Sequence, residues 1–198
     1  MTIAREAITG LVLAGGLGRR MSADGRGTDK AMVPFRGRPL LAHAIERLAP
    51  QVGTLLINAN RPAADYAAFG VPVVADAVGG FAGPLAGLHA GLAVARTDWV
   101  VTVPCDSPLL PLDLVERLAA AAASHGARLA VARAGGQAHP VFALVDRSLG
   151  DDLHAYLRGG GRKIDAWYAR LPTVDVPFDD EAAFGNINTP DDLRRHEP

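Results

Sequence analysis

Cysteine is almost absent from this chain of 198 residues, where Cys105 stands alone. No internal disulfide can form, and the chain suits a reducing compartment. Lysine is nearly as scarce: of twenty basic residues only Lys30 and Lys163 are lysine. Apolar residues make up 49 %, yet no unbroken apolar run approaches the ~18 residues of a membrane span. The first residues, Met1-Thr2-Ile3-Ala4-Arg5-Glu6, carry a charge pair and no long apolar stretch, which argues against a secretory signal. A cytoplasmic protein with no membrane association is expected. A formal net charge of −1 leaves no basic excess for a nucleic-acid surface. The length suits one domain with a real core.

What is present is an alternation of short apolar runs with helical patterns. Residues 8–14, 54–58, 71–75 and 99–103 read as strands; 39–48, 63–69, 85–95 and 112–124 read as helices. Leu112, Val115, Leu118 and Ala119 form one apolar stripe, with Pro111 where a first helical turn tolerates it. This order predicts an α/β fold, a three-layer α/β/α sandwich with a mostly parallel, Rossmann-like sheet. Past Ala127 the pattern changes. Strand-like 128–132 and 141–145 flank a loop or hairpin at 133–140, then come helices at 148–157 and 164–170 and an edge strand at 173–178, bounded by Pro172. A single domain is expected, with residues 8–110 as a nucleotide half and 111–198 as an acceptor half.

The first strand runs into Gly15-Gly16-Leu17-Gly18-Arg19-Arg20-Met21, followed by Thr28-Asp29-Lys30. Glycines let the backbone approach a ligand with no Cβ in the way. Inward N–H groups suit phosphate oxygens, and Arg20 and Lys30 add fixed and mobile positive charge. An ordinary strand-to-helix turn accounts for two glycines but not for the Arg-Arg and Asp-Lys. The spacing also excludes G-x-x-x-x-G-K-[ST] and G-x-G-x-x-G, since Met21 stands where the third glycine would be. The ammonium of Lys30 offers a compact, mobile charge, although a general preference for arginine would also leave two lysines.

In open parallel sheets ligands sit beyond the carboxyl ends of strands. Here those ends carry Gly15 and Gly16, then Asn58-Ala59-Asn60-Arg61, then Asp76, then Pro104-Cys105-Asp106-Ser107-Pro108. Any one of these could be a turn; the convergence of all four is harder to dismiss. Asp106 follows an apolar strand, so its carboxylate should project at the sheet edge, where it can hold Mg²⁺ together with phosphates and waters. A simple turn-forming Asp before Pro108 is the competing reading. Cys105 reads as a small buried residue, because direct phosphoryl transfer needs no covalent intermediate.

The segment L-A-G-G-x-x-x-R-M followed by D-K resembles the superfamily that transfers NMP from an NTP to a phosphate. Within it, the chain is similar to the molybdenum cofactor guanylyltransferase family from about Thr9 to Leu193. The resemblance implies a nucleotide-diphospho-sugar transferase type of fold and transfer of GMP from GTP to molybdopterin with Mg²⁺. It implies that Leu13, Ala14 and Gly15 meet the base and ribose, and that Lys30 meets the phosphates with help from Arg20. Asn58 and Asp76 fall on GTP-binding positions, and Asp106 on the metal ligand. Asn186 and Asn188, in Gly185-Asn186-Ile187-Asn188-Thr189-Pro190, fall at the pterin side, and His139-Pro140 matches a family pair.

Gly83-Pro84-Leu85-Ala86-Gly87 opens a helix with glycines that permit close approach, so Gly87 joins the acceptor candidates; a bare helix start is the alternative. Partners implied are GTP, molybdopterin, other cofactor-biosynthesis proteins and molybdoenzyme chaperones. One departure stands out: eight residues separate Met21 from Lys30, a longer loop than the family usually has, polar and glycine-rich as a lid would be. The rivals are a cytidylyl- or other nucleotidyltransferase acting on a phosphorylated small molecule, a glycosyltransferase (disfavoured because no D-x-D follows from Asp106), and a non-catalytic nucleotide-binding module.

Overall fold

The computed structural model describes residues 2–15, 29–78 and 83–196. Among these, the strands are β1 (Ile8–Leu13), β2 (Pro34–Phe35), β3 (Arg38–Pro39), β4 (Thr54–Asn58), β5 (Val73–Val74), β6 (Trp99–Pro104), β7 (Leu129–Ala134), β8 (Gln137–Asp146) and β9 (Thr173–Pro177). The α-helices are α1 (Leu40–Leu48), α2 (Pro84–Val94), α3 (Leu114–His125), α4 (Gly150–Arg158), α5 (Ile164–Tyr168) and α6 (Pro190–His196).

A seven-stranded sheet runs in the order β5-β4-β1-β6-β8-β7-β9. Only β8 runs against its neighbours β6 and β7; the other pairings are parallel. Residues alternate between two cores, as the period of a strand requires. Ile8, Val12, Val101, Val103, Ala130, Ala132 and Leu144 face a core shared with Leu41, Ala44 and Leu48 of α1 and Leu114, Val115 and Leu118 of α3. Leu11, Val100, Leu129, Val131, Ala143 and Val145 face the other core, with Leu85, Leu88 and Leu92 of α2, Leu153 and Leu157 of α4, and Trp167. Burial on both faces is why the strands read as nearly continuous apolar runs. The expected three-layer sandwich is present, and one sheet spans both halves of the sequence.

The topology fixes where a ligand can enter. From β1 the chain crosses through α1 to β4 on one side, and after β5 it crosses through α2 to β6 on the other. The two crossovers diverge around β1 and leave a crevice beyond its carboxyl end. That end, with those of β4, β5 and β6, lies on one edge of the sheet.

Several boundaries differ from expectation. The strand expected over 71–75 pairs only at Val73–Val74. Residues 63–69 form a 3₁₀ helix rather than an α-helix. The 133–140 stretch is a tight hairpin, with Gly135 and Gly136 at φ 55° and 76° and strand on both sides; two consecutive positive φ angles suit glycine. The third helix starts at Leu114, not 112, so Leu112 falls outside the stripe and is 66 % exposed. No helix among the described residues is long and apolar enough to cross a membrane.

Packing of α2 on β1 is close enough to require glycine. A Cβ on Gly91 would lie 2.5 Å from Cδ2 of Leu11, which is fully buried. Alanine is a better helix former than glycine by about 1 kcal/mol, whereas overpacking a core costs about 1–3 kcal/mol. Gly91→Ala is therefore expected to lower stability on balance, read as a lower urea midpoint at unchanged slope; a raised midpoint would contradict the packing.

Candidate active site

The crevice is built from backbone first. After β1, the Ala14 N–H donates to the Asn58 carbonyl at 2.8 Å, and the Cys105 N–H donates to the Leu13 carbonyl at 3.0 Å. The ends of β4, β1 and β6 are thereby held side by side, and Ala14 is buried while Gly15 is exposed.

On the β4 side lies an amide–carboxylate cluster. Asn58 donates to Asp76 Oδ1 at 2.9 Å and to the Val74 carbonyl at 3.1 Å. Asn60 donates to Asp76 Oδ2 at 2.8 Å and accepts from the Asp76 N–H at 2.9 Å. Both carboxylate oxygens of Asp76 are thus fixed, each keeping acceptor capacity for a ligand. Asn58 is 3 % exposed, and these contacts use both of its amide hydrogens, so it holds Asp76 in place. Asn60 joins the cluster although no role is expected of it from the sequence. The N-x-N spacing at a strand end was the available signal.

Gly87 belongs to this cluster. Its Cβ, if present, would lie 2.3 Å from Oδ1 of Asn58 and 2.7 Å from Leu13 Cδ2. Glycine is needed at this position because α2 packs directly on the ends of β1 and β4. A Cβ on Gly15 would touch Asn60 and Asn58 at 3.4 and 3.6 Å, so Gly15 roofs the same cluster.

On the β6 side lies a cation bridge. The Lys30 ammonium donates to Asp106 Oδ2 and to Asn188 Oδ1, with Lys30 and Asp106 side chains each 13 % exposed. Three remote segments meet here. Lys30 opens a 3₁₀ turn, Lys30–Met32, capped by the Asp29 carboxylate, which accepts from the Ala31 N–H at 3.1 Å. Asp106 follows β6. Asn188 comes from the segment before α6, anchored by Ile187, whose N–H donates to the Asp106 carbonyl at 2.8 Å. The Ile187 side chain is buried with Val33, Phe35 and Leu40.

Asn186 accepts from the Ser107 hydroxyl at 2.6 Å. Of the two asparagines, Asn186 meets Ser107, whereas Asn188 reaches the lysine itself. Thr189 and Asp192 form a reciprocal cap on α6: the Asp192 N–H donates to Thr189 Oγ1 at 3.2 Å, and the Thr189 N–H to Asp192 Oδ2 at 2.9 Å.

Cys105 is 5 % exposed; burial, then the neighbouring Asp106 charge, pushes its thiol above the usual range. A thiolate nucleophile is unsupported there. His139 stacks on Phe184 at 4.8 Å, and the Tyr168 hydroxyl donates to the Pro140 carbonyl at 2.9 Å. The pair braces the hairpin, and no contact brings His139 to Lys30 or Asp106 among the described residues. Gly16, Arg20 and the loop expected as a lid lie outside the described residues.

The family profile of the MobA-like NTP transferase domain matches residues 10–174. The chain belongs to the MobA-like NTP transferase family. It is 55 % identical to the molybdenum cofactor guanylyltransferase of Cupriavidus pinatubonensis, with 98 % of each chain covered. Identity is also 55 % to the protein of that name from Cupriavidus metallidurans, over 98 % of this chain and 97 % of that one. The solved structure of molybdopterin-guanine dinucleotide biosynthesis protein A from Archaeoglobus fulgidus matches at TM-score 0.74. Its identity is 27 %, with 94 % of this chain and 95 % of that one covered. Membership places the Lys30–Asp106 bridge and the Asp76 cluster in the fold of a nucleotidyltransferase.

A buried, protonated thiol should react slowly. An aromatic disulfide reagent is expected to titrate no thiol in the native protein at neutral pH and one thiol after unfolding, since Cys105 is the single cysteine. Rapid native reaction would contradict the burial.

Proposed function

We infer that this chain is a molybdenum cofactor guanylyltransferase: it transfers GMP from GTP to the terminal phosphate of molybdopterin and releases pyrophosphate. The name carried by relatives 55 % identical over nearly the whole chain supports the activity. The observation that carries it in this chain is the joining of Lys30, Asp106 and Asn188 beyond β1, beside the fixed carboxylate of Asp76.

In this reading the nucleotide lies across the crevice. Backbone groups of Leu13, Ala14 and Gly15 meet base and ribose. The oriented Asp76 carboxylate accepts from N1–H and N2–H of guanine, a donor pair that cytosine lacks. Lys30 has three ammonium hydrogens, so it can keep Asn188 while turning one toward a phosphate oxygen. Arg20 assists at the phosphates. Asn186 and Asn188 flank the acceptor, next to the reacting centre.

A divalent metal suits the oxygens present. Asp106 Oδ2 and Asn188 Oδ1 already converge on one cation, the Lys30 ammonium, and both are hard oxygen donors of the kind Mg²⁺ takes alongside phosphates and water. When bound at Asp106, Mg²⁺ supplies charge neutralisation on the triphosphate. An acceptor phosphate oxygen forms the new bond to the α-phosphorus, and the α–β bridge breaks with its electron pair leaving on pyrophosphate. That phosphate is already an anion at neutral pH, so no general base is required, and catalysis rests on positioning and charge.

Pyrophosphate release with GTP and molybdopterin tests the reading. Asp106→Asn preserves an oxygen partner for Lys30 while removing the charge; turnover is expected to fall about a thousandfold, roughly 4 kcal/mol. Near-normal turnover in Mg²⁺ would take the metal role away from Asp106. Gly87→Ala should displace Asn58 and loosen Asp76, weakening GTP binding about tenfold or more by calorimetry with little change in CTP binding. Unchanged GTP affinity would remove Asp76 from the base site.

A further inference from the structure

Beneath the Lys30 turn lies a polar group that the reaction does not use. Tyr66, on the 3₁₀ helix Ala63–Phe69, has no exposed surface. It belongs to the core cluster that also holds Ala14, Ala31, Ala59 and Cys105, residues that adjoin the strand ends and the Lys30 turn. Its hydroxyl donates to Asp29 Oδ2 at 2.9 Å. The other oxygen of Asp29 caps the turn through the Ala31 N–H. Arg61 reaches Asp29 Oδ2 at 3.7 Å from the half-exposed side, while the Asp29 side chain is 13 % exposed.

We propose that Tyr66 is a positioning residue for the transfer reaction: through Asp29 it fixes the turn that carries Lys30 against Asp106 and Asn188. The inference rests on the guanylyltransferase reading, because the consequence of misplacing Lys30 is loss of transfer. The physical argument concerns a nearly buried carboxylate. Asp29 has two inward partners, one to each oxygen, and one outward partner, Arg61. The Tyr66 hydroxyl holds the oxygen that Arg61 also attracts.

Without the hydroxyl, that oxygen keeps only the pull toward Arg61 and solvent. The carboxylate then turns outward, the cap on Ala31 weakens, and the residue next to Asp29, Lys30, loses its fixed starting point. A long flexible ammonium held at a defined place needs such a base, since small misplacements of a charge-stabilising group are expensive in rate. Burial, then the hydrogen bond to Asp29, pushes the phenol above its usual range, so the hydroxyl stays a neutral donor at working pH.

Tyr66→Phe deletes one oxygen and leaves the ring packing in place. Single-turnover transfer of labelled GMP to molybdopterin is expected to slow about ten- to a hundredfold, with the KM for GTP little changed and the thermal midpoint close to that of the native chain. In a Lys30→Ala background the same substitution should produce no further slowing, because Tyr66 acts through Lys30. Likewise Tyr66→Phe added to Asp29→Asn should be no worse than Asp29→Asn alone. Undiminished transfer in Tyr66→Phe would overturn the proposal. Equal slowing with and without Lys30 would also overturn it, since that is the signature of a general loss of structure. A native chain that transfers no GMP would overturn the guanylyltransferase reading, whereas an active native chain with an equally active Tyr66→Phe variant sinks only the positioning role.

Discussion

The Lys30 ammonium ties together segments that lie 76 and 158 residues apart in the chain, through Asp106 and Asn188. Both ends of its ion pair are mostly shielded from water, so salt screens the attraction far less than it would on a surface. The three contributors arrive by different means. A core strand delivers Asp106, a capped turn delivers Lys30, and the buried Ile187 delivers Asn188 by anchoring the stretch on either side of it. Loss of any one support moves a charge that the others are placed to meet.

Across the crevice the logic is different. Among the described residues no cation pairs with Asp76; its oxygens are oriented by the amides of Asn58 and Asn60. Each oxygen is thereby aimed and still has acceptor capacity to spare. The two sides of the crevice thus differ in kind: one fixed carboxylate held by neutral amides, and one ion pair held by a lysine. Gly15 and Gly87 both pack against Asn58 on the Asp76 side.

The strand ends were readable because each apolar run stops at a distinctive polar group. Asn58, Asp76 and Asp106 could be placed on one edge from alternation alone, and the glycines marked close approach. What could not be read was partnership. Nothing local in Gly87 signals that it makes room for Asn58, a contact set by how α2 docks on the sheet. Tyr66 sits in an unremarkable Ala-rich stretch, and its link to Asp29 depends on tertiary packing over 37 residues. Leu112 looked like part of a helical stripe because periodicity ignores where Pro111 and Asp113 allow the helix to begin. The Asn186–Asn188 pair was legible as alternate positions on an extended segment. Its meeting with Lys30 was not, since that contact closes the chain's two ends on each other.

In the proposed reaction the whole guanylyl group, α-phosphate and nucleoside together, passes directly from GTP to an acceptor phosphate. The direct measurement uses GTP labelled at the α-phosphorus, purified molybdopterin, Mg²⁺ and the full chain, with the products separated. The account predicts label on the pterin dinucleotide and unlabelled pyrophosphate in equal amounts. Label that remains in GTP, or that appears on the protein or as free GMP without reaching the pterin, would contradict it.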